Sequence, residues 1–356
     1  MRLGGNGHID ASAQALPRIG ITMGDPAGIG AEVIVKALAD PSIRGLARFT
    51  IYGLDEVLTY AADRAEINSY WYRLPIDQVQ RVERGVLVAD VDELAMSVPL
   101  YRGHTAQGGV ASMRFLEEAI SAAKRERIDA VVTAPISKTS WKLARYRFPG
   151  HTELFADACN VKDRYTMCFI GGGLRVALAS THEPLFALQN SFTIGRVFRP
   201  IDLLHQALRD WFGIDEPRIA VAGLNPHASE GGRFGDDEAR IIEPAITMAR
   251  ETGILVEGPF PADTIFLQAL QGRFDGVVAM YHDQGLIPVK LLAFDSAVNV
   301  TLGLPIVRTS VDHGTAFDIA GQNRADPGSM KAAIRLATQI VAQRANASTS
   351  VVAAQA

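Results

Sequence analysis

Residues 18–38 of the chain read RIGITMGDPAGIGAEVIVKAL, and this stretch decides the class of fold. The apolar run at 18–23 has the length and composition of a short buried strand. A glycine-rich segment follows at 24–30, and the apolar spacing at 32–38 is typical of a helix. A strand, a glycine turn and a helix in direct succession indicate parallel α/β architecture. The turn lacks both the GxGxxG and the GK[ST] spacing, so alone it predicts only a tight reversal of the backbone.

The same alternation of short apolar runs and helical patterns continues along the chain. It predicts strands at 49–52, 130–133, 174–179, 218–222 and 276–280, and helices at 109–123, 201–212, 236–251, 264–270 and 329–344. With 356 residues the chain exceeds what one hydrophobic core usually serves. We therefore expect two α/β lobes.

Composition and charge exclude several classes of protein. The net charge of −4 favours neither a nucleic-acid groove nor a basic membrane patch, so we expect no nucleic acid and no membrane as partners. Cys159 and Cys168 are too few for a disulfide framework and are expected to be buried, reduced thiols. Residues 1–16 lack the apolar core of a signal peptide, and no stretch is long enough to span a bilayer. A cytoplasmic location is therefore expected.

Three histidines follow three of the predicted strands. His182 comes after the strand at 174–179, His227 after 218–222 and His282 directly after 276–280. The carboxyl ends of parallel strands share one edge of a sheet, where ligands bind, so the three imidazoles are expected to converge. Imidazole suits zinc, cobalt, nickel or iron, and three protein ligands leave a position open for substrate. The alternative is that each histidine is separately hydrogen-bonded in a loop, but three equivalent positions favour a metal site.

One loop and three basic residues each allow two interpretations, one functional and one purely structural. The loop at 312–327 is rich in glycine, aspartate and polar donors, and is either a binding loop or a long surface connection. Lys138, Lys290 and Arg308 each follow an apolar run and lie beside proline, glycine or asparagine. They are either contacts for an anion or ordinary solvated cations.

Several motifs together resemble one enzyme family. They are GDPAGIG at 24–30, TAPISK at 133–138, GHTE at 150–153, LNPH at 224–227, PADT at 261–264, YHDQG at 281–285 and the segment from GLP at 303–305 to AG at 320–321. In these motifs the chain resembles the 4-hydroxythreonine-4-phosphate dehydrogenase family of pyridoxal phosphate biosynthesis. The motifs span about residues 18 to 345, and none of them is common to a large superfamily.

The resemblance implies a two-lobed α/β/α fold of the isocitrate/isopropylmalate dehydrogenase type. Residues 1–139 and 312–356 would form lobe one, and residues 140–311 would form lobe two with the metal and substrate residues. The active site would lie in the cleft between the lobes and be shared between the subunits of a homodimer. The loop from His313 to Pro327 is similar to the adenosine-binding loop of that enzyme type. The residues implied for NAD or NADP are Gly314, Thr315, Asp318 and Asp326.

The resemblance also implies roles for single residues. His182, His227 and His282 match the family's ligands for one divalent ion, zinc, magnesium or cobalt. The matching substrate contacts are His151, Thr152, Lys290, Asn299 and Arg308. Asp263 and Asp283 would lie near the metal and the reacting hydroxyl, and with Lys290 they are the candidates for catalysis.

The implied reaction is the oxidation of 4-phosphohydroxy-L-threonine to a 3-keto acid, which decarboxylates to 3-amino-2-oxopropyl phosphate. One departure affects the substrate. Residues 291–298 read LLAFDSAV, with Asp295 and no arginine, where enzymes of vitamin synthesis tend to carry glycine and arginine. D-threonate or D-erythronate 4-phosphate, or an aromatic dihydrodiol carboxylate, is therefore the alternative substrate. Two further alternatives are a metal-dependent hydrolase or aldolase, which would not need the loop at 312–327, and a non-enzymatic metal-binding module.

Overall fold

The computed structural model describes residues 16–80, 82, 84–99 and 101–355, with side-chain burial up to residue 347. The segment 1–15, which carries most of the signal-peptide expectation, lies outside the described residues. The strands are β1 (Arg18–Thr22), β2 (Arg48–Gly53), β3 (Tyr72–Pro75), β4 (Val86–Asp90), β5 (Ala130–Thr133), β6 (Thr166–Gly171), β7 (Leu174–Leu178), β8 (Ile219–Ala222), β9 (Val256–Phe260), β10 (Gly276–Ala279), β11 (Val298–Leu302) and β12 (Val307–Val311).

The α-helices lie between and after these strands. They are α1 (Gly30–Ala39), α2 (Pro41–Arg44), α3 (Asp55–Arg64), α4 (Ala106–Lys124), α5 (Lys138–Leu143), α6 (His151–Ala158), α7 (Leu188–Ser191), α8 (Ile194–Phe212), α9 (Glu243–Glu251), α10 (Ala262–Leu270), α11 (His282–Ala293) and α12 (Gly328–Gln355). A π-helical turn, Glu238–Ile242, precedes α9. No helix in the described residues is long and apolar enough to cross a membrane.

All of these strands join one sheet in the order β3-β4-β2-β1-β5-β12-β11-β6-β7-β10-β8-β9. The strands from β3 to β12 in this order are parallel, as are β7, β10, β8 and β9. β11 runs antiparallel to β12 and β6, and β6 runs antiparallel to β7. The two parallel groups therefore run in opposite directions, and their carboxyl ends lie at opposite edges of the sheet.

Burial explains why these segments form strands. Every residue of β5, β8 and β10 is buried, as expected for parallel strands that are covered on both faces. A large core surrounds the first parallel group and extends under α8 and α12. A smaller core packs α10 and α11 on one face of β6, β7 and β10. The predicted α/β class is thus confirmed.

The glycine turn after β1 is the tight reversal that the sequence predicts. A Cβ atom on Gly30 would lie 2.0 Å from the carbonyl oxygen of Met23, so only glycine fits at the start of α1. This close approach places the turn against the chain that follows β5, where Asp25 N–H donates to the Pro135 carbonyl at 3.0 Å.

Most predicted elements are present, with altered ends. α4 and α8 begin earlier than predicted because Thr105 and Thr193 accept the N–H groups of Gly108 and Arg196 and cap these helices. The predicted helix at 236–251 starts as the π-helical turn, and α12 continues to Gln355, beyond the end at residue 344 that the sequence predicts. The sequence analysis missed β3, β4, β6, β9, β11 and β12.

The predicted lobe boundaries remain a prediction, because the sheet is continuous across them. β12 ends at Val311, where lobe two was expected to end, and it pairs with β5 of lobe one and with β11 of lobe two. Both cysteines are free; Cys168 is buried and Cys159 half-buried, and burial raises the pKa of the Cys168 thiol to about 12.

Candidate functional site

A cavity of about 250 Å³ lies over the central strands β6, β11 and β12. The chain after β5 and after β12 lines one side of it, and the start of α6 lines another. His182, which follows β7, and His282, which follows β10, line the side that belongs to the second parallel group. The lining residues are Pro135, Ile136, Lys138, Gly150, His151, Thr152, Glu153, Met167, Phe169, His182, His282, Leu286, Asn299, Arg308, Ser310, Val311, Asp312, His313 and Gly314. Segments that follow strands of both parallel groups therefore line one cleft, which lies over the short central strands between the groups.

The Arg308 side chain contributes a buried positive charge to this cleft. Its Nη2 donates to Thr133 Oγ1 at 2.8 Å and its Nη1 donates to Thr301 Oγ1 at 3.2 Å, while Nε has no partner. It forms no ion pair among the described residues. Burial lowers the pKa of Arg308 to about 9, an effect that the charge of Glu153 partly opposes. A buried cation without a paired carboxylate is suited to hold an anionic ligand.

Two further buried polar atoms beside Arg308 lack partners. They are His151 Nε2 and Asn299 Oδ1, and both residues line the same cavity. Burial, Arg308 and Lys138 together hold the pKa of His151 well below its usual range, so the imidazole is neutral. Buried polar groups in native proteins are nearly always hydrogen-bonded, so these atoms indicate the place of a polar ligand.

His182 and His282 lie next to each other, with 5.6 Å between their ring centroids. His282 is the first residue of α11, and its Nδ1 lies 2.7 Å from Asp283 Oδ1. A carboxylate in this position orients an imidazole so that its other nitrogen faces a metal ion. Burial, followed by the charges of Lys138 and His282, lowers the pKa of His182 and favours the neutral form that binds metals. The pair therefore fits a divalent transition-metal ion with two nitrogen ligands.

His227 does not join this pair within one chain, so the convergence expected from the strand ends is wrong for the single chain. β7, β10 and β8 are neighbours and share an edge, but the segment after β8 folds into a turn, Pro226–Glu230, in which His227 is exposed. Its ring lies 6.2 Å from that of Phe234. Among the described residues, no group of three histidine, cysteine or acidic side chains is placed to hold a metal ion. A ligand set shared between two copies stays a prediction.

The structure places the three predicted catalytic residues differently. The Asp283 carboxylate is hydrogen-bonded to the His282 imidazole, as described above. Lys290 Nζ lies 3.0 Å from Asp312 Oδ2, and Asp312 lines the cavity although Lys290 does not. Asp263 is exposed in the first turn of α10 and lies outside the lining of the cavity. One chain therefore brings Asp283 and Lys290 to the edge of the site but not Asp263.

Among the predicted cofactor residues, only Gly314 lines the cavity. Thr315 is buried, and its carbonyl accepts the N–H of Ile29 at 3.0 Å. Asp326 Oδ1 accepts the N–H of Gly328 at 2.6 Å at the start of α12, and Asp318 is exposed. The loop at 312–327 is thus hydrogen-bonded to the glycine turn at 24–30, which favours a rigid loop. Its binding of NAD or NADP stays a prediction.

Sequence reasoning missed several lining residues. Glu153 and Asp312 stand beside predicted site residues, and this adjacency was the available signal. The sequence gives His313 no role beyond the start of the loop, whereas in the structure its Nε2 is buried without a hydrogen-bond partner. For Lys138 the sequence left an anion contact and a solvated cation equally open, and the structure places it in the lining of the cavity. The alternation along β12, which directs both Arg308 and Ser310 to the cavity, requires knowledge of the strand that the sequence analysis did not have.

Comparison with known proteins adds an independent line of argument. Residues 46–337 match the family model described as "Pyridoxal phosphate biosynthetic protein PdxA". The chain is 46% identical over 325 residues to 4-hydroxythreonine-4-phosphate dehydrogenase of Geobacter metallireducens, which covers 91% of this chain and 95% of the relative. It is 43% identical over 328 residues to D-threonate 4-phosphate dehydrogenase of Salmonella typhimurium, covering 90% and 98%. The crystal structure of 4-hydroxythreonine-4-phosphate dehydrogenase from Klebsiella pneumoniae superimposes with a TM-score of 0.81 at 38% identity, covering 91% and 99%.

Proposed function

Because the chain belongs to the family of the pyridoxal phosphate biosynthetic protein PdxA, we propose that it oxidises 4-phosphohydroxy-L-threonine with NAD or NADP. The 3-hydroxyl becomes a ketone, and the resulting 3-keto acid loses carbon dioxide to give 3-amino-2-oxopropyl phosphate. Its relatives are dehydrogenases, and the chain is likewise an oxidoreductase that acts on a CH–OH group, which sets aside the hydrolase, aldolase and non-enzymatic readings.

The observation that carries this proposal is the cluster of buried, unpartnered polar atoms around Arg308. Three buried atoms there have no hydrogen-bond partner: Arg308 Nε, His151 Nε2 and Asn299 Oδ1. A phosphate or carboxylate satisfies the guanidinium by charge and hydrogen bonding. Thr152 and Lys290 are proposed as further substrate contacts; Thr152 lines the cavity, and Lys290 reaches it through Asp312.

A metal site at His182 and His282 completes the proposed machinery, with His227 supplied by a second copy of the chain. These histidines would hold a zinc, magnesium or cobalt ion, which would supply the positive charge that lowers the pKa of the substrate hydroxyl. Asp283 holds His282 in the orientation for binding. Asp283 and Lys290 are proposed to transfer the proton, and Asp263 enters the site only if a second copy brings it there.

The loop from His313 to Pro327 is proposed to hold NAD or NADP, which would supply the hydride acceptor of the reaction. The loop adjoins the cleft at Gly314 and continues past Thr315 and Asp318 to Asp326. It is held by Glu32, whose Oε1 accepts the Ala325 N–H at 2.8 Å. A loop fixed in this way can position a cofactor without a GxGxxG turn.

A homodimer is proposed because α10 and α11 expose a broad apolar face. The large exposed side chains on it are Leu267, Leu270, Ile287, Leu291, Leu292 and Phe294, of which Leu291 is 82% and Phe294 is 73% exposed. An apolar patch of this kind marks an interaction surface. His282 begins the same helix, so an interface here brings a second copy close to the proposed metal site.

D-threonate or D-erythronate 4-phosphate is the second candidate substrate. The relative from Salmonella typhimurium, at 43% identity, is named for D-threonate 4-phosphate. Residues 291–298, which depart from the expected pattern, do not line the cavity, so they would act on the substrate only through neighbours such as Asn299. Both candidates carry a phosphate and a carboxylate, and they differ in the group at C2.

The test is the appearance of NADH or NADPH at 340 nm with zinc, magnesium or cobalt present. The substrates are 4-phosphohydroxy-L-threonine, D-threonate 4-phosphate and D-erythronate 4-phosphate, with a dihydrodiol carboxylate as a fourth. Turnover of the amino substrate that is lost in His227→Ala supports the main proposal. Turnover of only the sugar-acid phosphates supports the second candidate. Reduction of neither nicotinamide with any phosphorylated substrate contradicts both.

A further inference from the structure

The loop that carries His227 is held in an unfavourable backbone conformation. His227, Ala228, Ser229 and Glu230 all have positive φ angles, between 47° and 62°. Each such residue is disfavoured relative to the right-handed region, because its Cβ approaches the following carbonyl oxygen. Four consecutive residues of this kind persist only where surrounding contacts impose them.

The Glu238 carboxylate provides those contacts. Glu238 is only 1% exposed, and its Oε1 accepts the N–H groups of Leu224 at 2.8 Å and Asn225 at 2.7 Å. Its Oε2 accepts Asn225 Nδ2 at 2.9 Å. The buried carboxylate thus accepts hydrogen bonds from three donors at the base of the loop. Glu238 forms no ion pair among the described residues.

The base of the loop is also fixed from two other directions. A Cβ atom on Gly223 would lie 2.8 Å from Ala228 Cα, so the loop folds back onto its own first residue. Gln284 Nε2 donates to the Gly223 carbonyl at 2.8 Å, and Gln284 Oε1 accepts the Met280 N–H at 2.7 Å. The segment that leads to His282 and the loop that presents His227 are therefore joined.

We propose that Glu238 is a positioning residue for the metal site: it holds the 223–230 loop in the strained form that presents His227 to a second copy of the chain. This rests on the proposed function, in which His227 is a metal ligand. The turn at Glu238–Ile242 is π-helical, a form that often occurs at functional sites and that here accompanies the burial of the Glu238 side chain. Without the carboxylate, the loop relaxes and His227 leaves the position in which it can bind.

The test compares zinc and cobalt binding by the full chain with Glu238→Gln, after removal of metal with a chelator. Zinc affinity is measured by competition with a chromophoric chelator, and cobalt coordination by visible absorption. We expect Glu238→Gln to weaken zinc binding by about 10- to 100-fold, the effect typical of residues that support metal ligands. The cobalt bands should shift toward those of His227→Ala. Glu243→Gln, the same change at an exposed residue five positions later, should leave both unchanged.

Amide hydrogen exchange of the metal-free protein separates positioning from general stability. Glu238→Gln should speed exchange at residues 224–232 and leave β8 and α9 protected, with an unchanged dimer by size-exclusion chromatography. If Glu238→Gln does not fold, Asn225→Ala is measured in the same way; it removes the side-chain contact to Glu238 together with a hydrogen bond to Asp237 Oδ2 at 3.0 Å.

Three results would overturn the inference. Wild-type zinc affinity in Glu238→Gln, with weakened binding in His227→Ala, contradicts the role of Glu238 alone. Loss of protection throughout β8 and α9 shows that Glu238 only stabilises the fold. Unchanged zinc binding in His227→Ala shows that His227 is not a metal ligand, which contradicts both this inference and the proposed set of ligands. The proposed reaction is tested separately, by nicotinamide reduction.

Discussion

At the scale of single residues, Arg308 and His151 have the charge states that most affect the proposed chemistry. Arg308 remains a cation in a buried place, and His151 beside it remains neutral because the same burial and the same cation disfavour its protonation. Arg308 therefore provides a donor group that keeps its charge, and His151 provides a ring nitrogen that can accept a hydrogen bond. This pairing favours a ligand with an anionic end and an adjacent hydroxyl.

Arg308→Met should separate binding from stability. We expect kcat/KM to fall at least about 100-fold, because a charge-assisted contact to the anion is worth about 1.5–3 kcal/mol and its correct placement adds to this. Stability should not fall, since the variant removes a buried charge that has no paired carboxylate. The measurements are steady-state kinetics and thermal unfolding. Saturating substrate should raise the Tm of the wild type and not that of the variant; an equal rise in both would count against Arg308 as the anion contact.

His151 should make the protein less stable in mild acid. Its folded-state pKa lies below the unfolded value, so the unfolded chain binds more protons below about pH 6.5. Stability is then fully present above that pH and is lost as the pH falls, by at most about 1.4 kcal/mol per pH unit for one site. His151→Gln should flatten the urea-unfolding free energy between pH 6.5 and 5 relative to the wild type. Parallel curves for the two proteins would show that folding leaves the pKa of His151 unchanged, which contradicts the effect of its burial.

At the scale of elements, the glycine turn and the strand directions position the site. The turn at 24–30 brings α1 against the chain after β5 and against the loop at 312–327 through the bond from Ile29 to Thr315. The proposed cofactor loop therefore depends on a turn that is distant from it in sequence. Changes in this turn should affect both folding and cofactor binding.

Gly30→Ala is expected to destabilise the fold by about 1–3 kcal/mol, the usual effect of forcing an atom into a packed place. The new Cβ would meet the Met23 carbonyl oxygen, which is backbone and cannot move aside cheaply. Gly195→Ala is the matched control, because nothing lies within 4 Å of its Cβ position in the first turn of α8. Helix propensity predicts that the control is neutral or slightly stabilising. Equal unfolding midpoints in guanidinium for the two variants would contradict the close contact at Gly30.

At the scale of the whole molecule, the exposed face of α10 and α11 should decide the oligomeric state. Leu291→Glu places a charge on the most exposed apolar side chain of this face and should convert a dimer into monomers. Leu143→Glu changes a leucine that is 53% exposed on α5 and serves as the control. Light scattering after size-exclusion chromatography gives the masses. If the Leu291 variant remains a dimer, the interface lies elsewhere.

Single strands and helices could be predicted from the sequence, because their patterns are local. The pairing of strands that are distant in the chain could not. Short, mainly apolar runs such as 130–133 and 276–280 are typical of parallel strands covered on both faces, and the sequence predicted them. β11 was missed because its reversal depends on partners at β6 and β12 that no local pattern reveals. His182 and His282 follow strands directly, so their meeting was predictable. The exposure of His227 depends on the side chain of Glu238, eleven residues later in the chain.

The hydrogen-bonded central strands also bear on how the cleft can move. Many two-part enzymes close by rotation about a few flexible residues between their parts. Here β12, β11 and β6 form the floor of the cleft and link the two parallel groups through backbone hydrogen bonds. Narrowing the cleft then requires a change in the twist of these strands, and the resistance to that change is spread over every bond of the floor. We therefore expect any narrowing of the cleft to be a small elastic deformation of the sheet, with a stiffness set by the pairing of these strands.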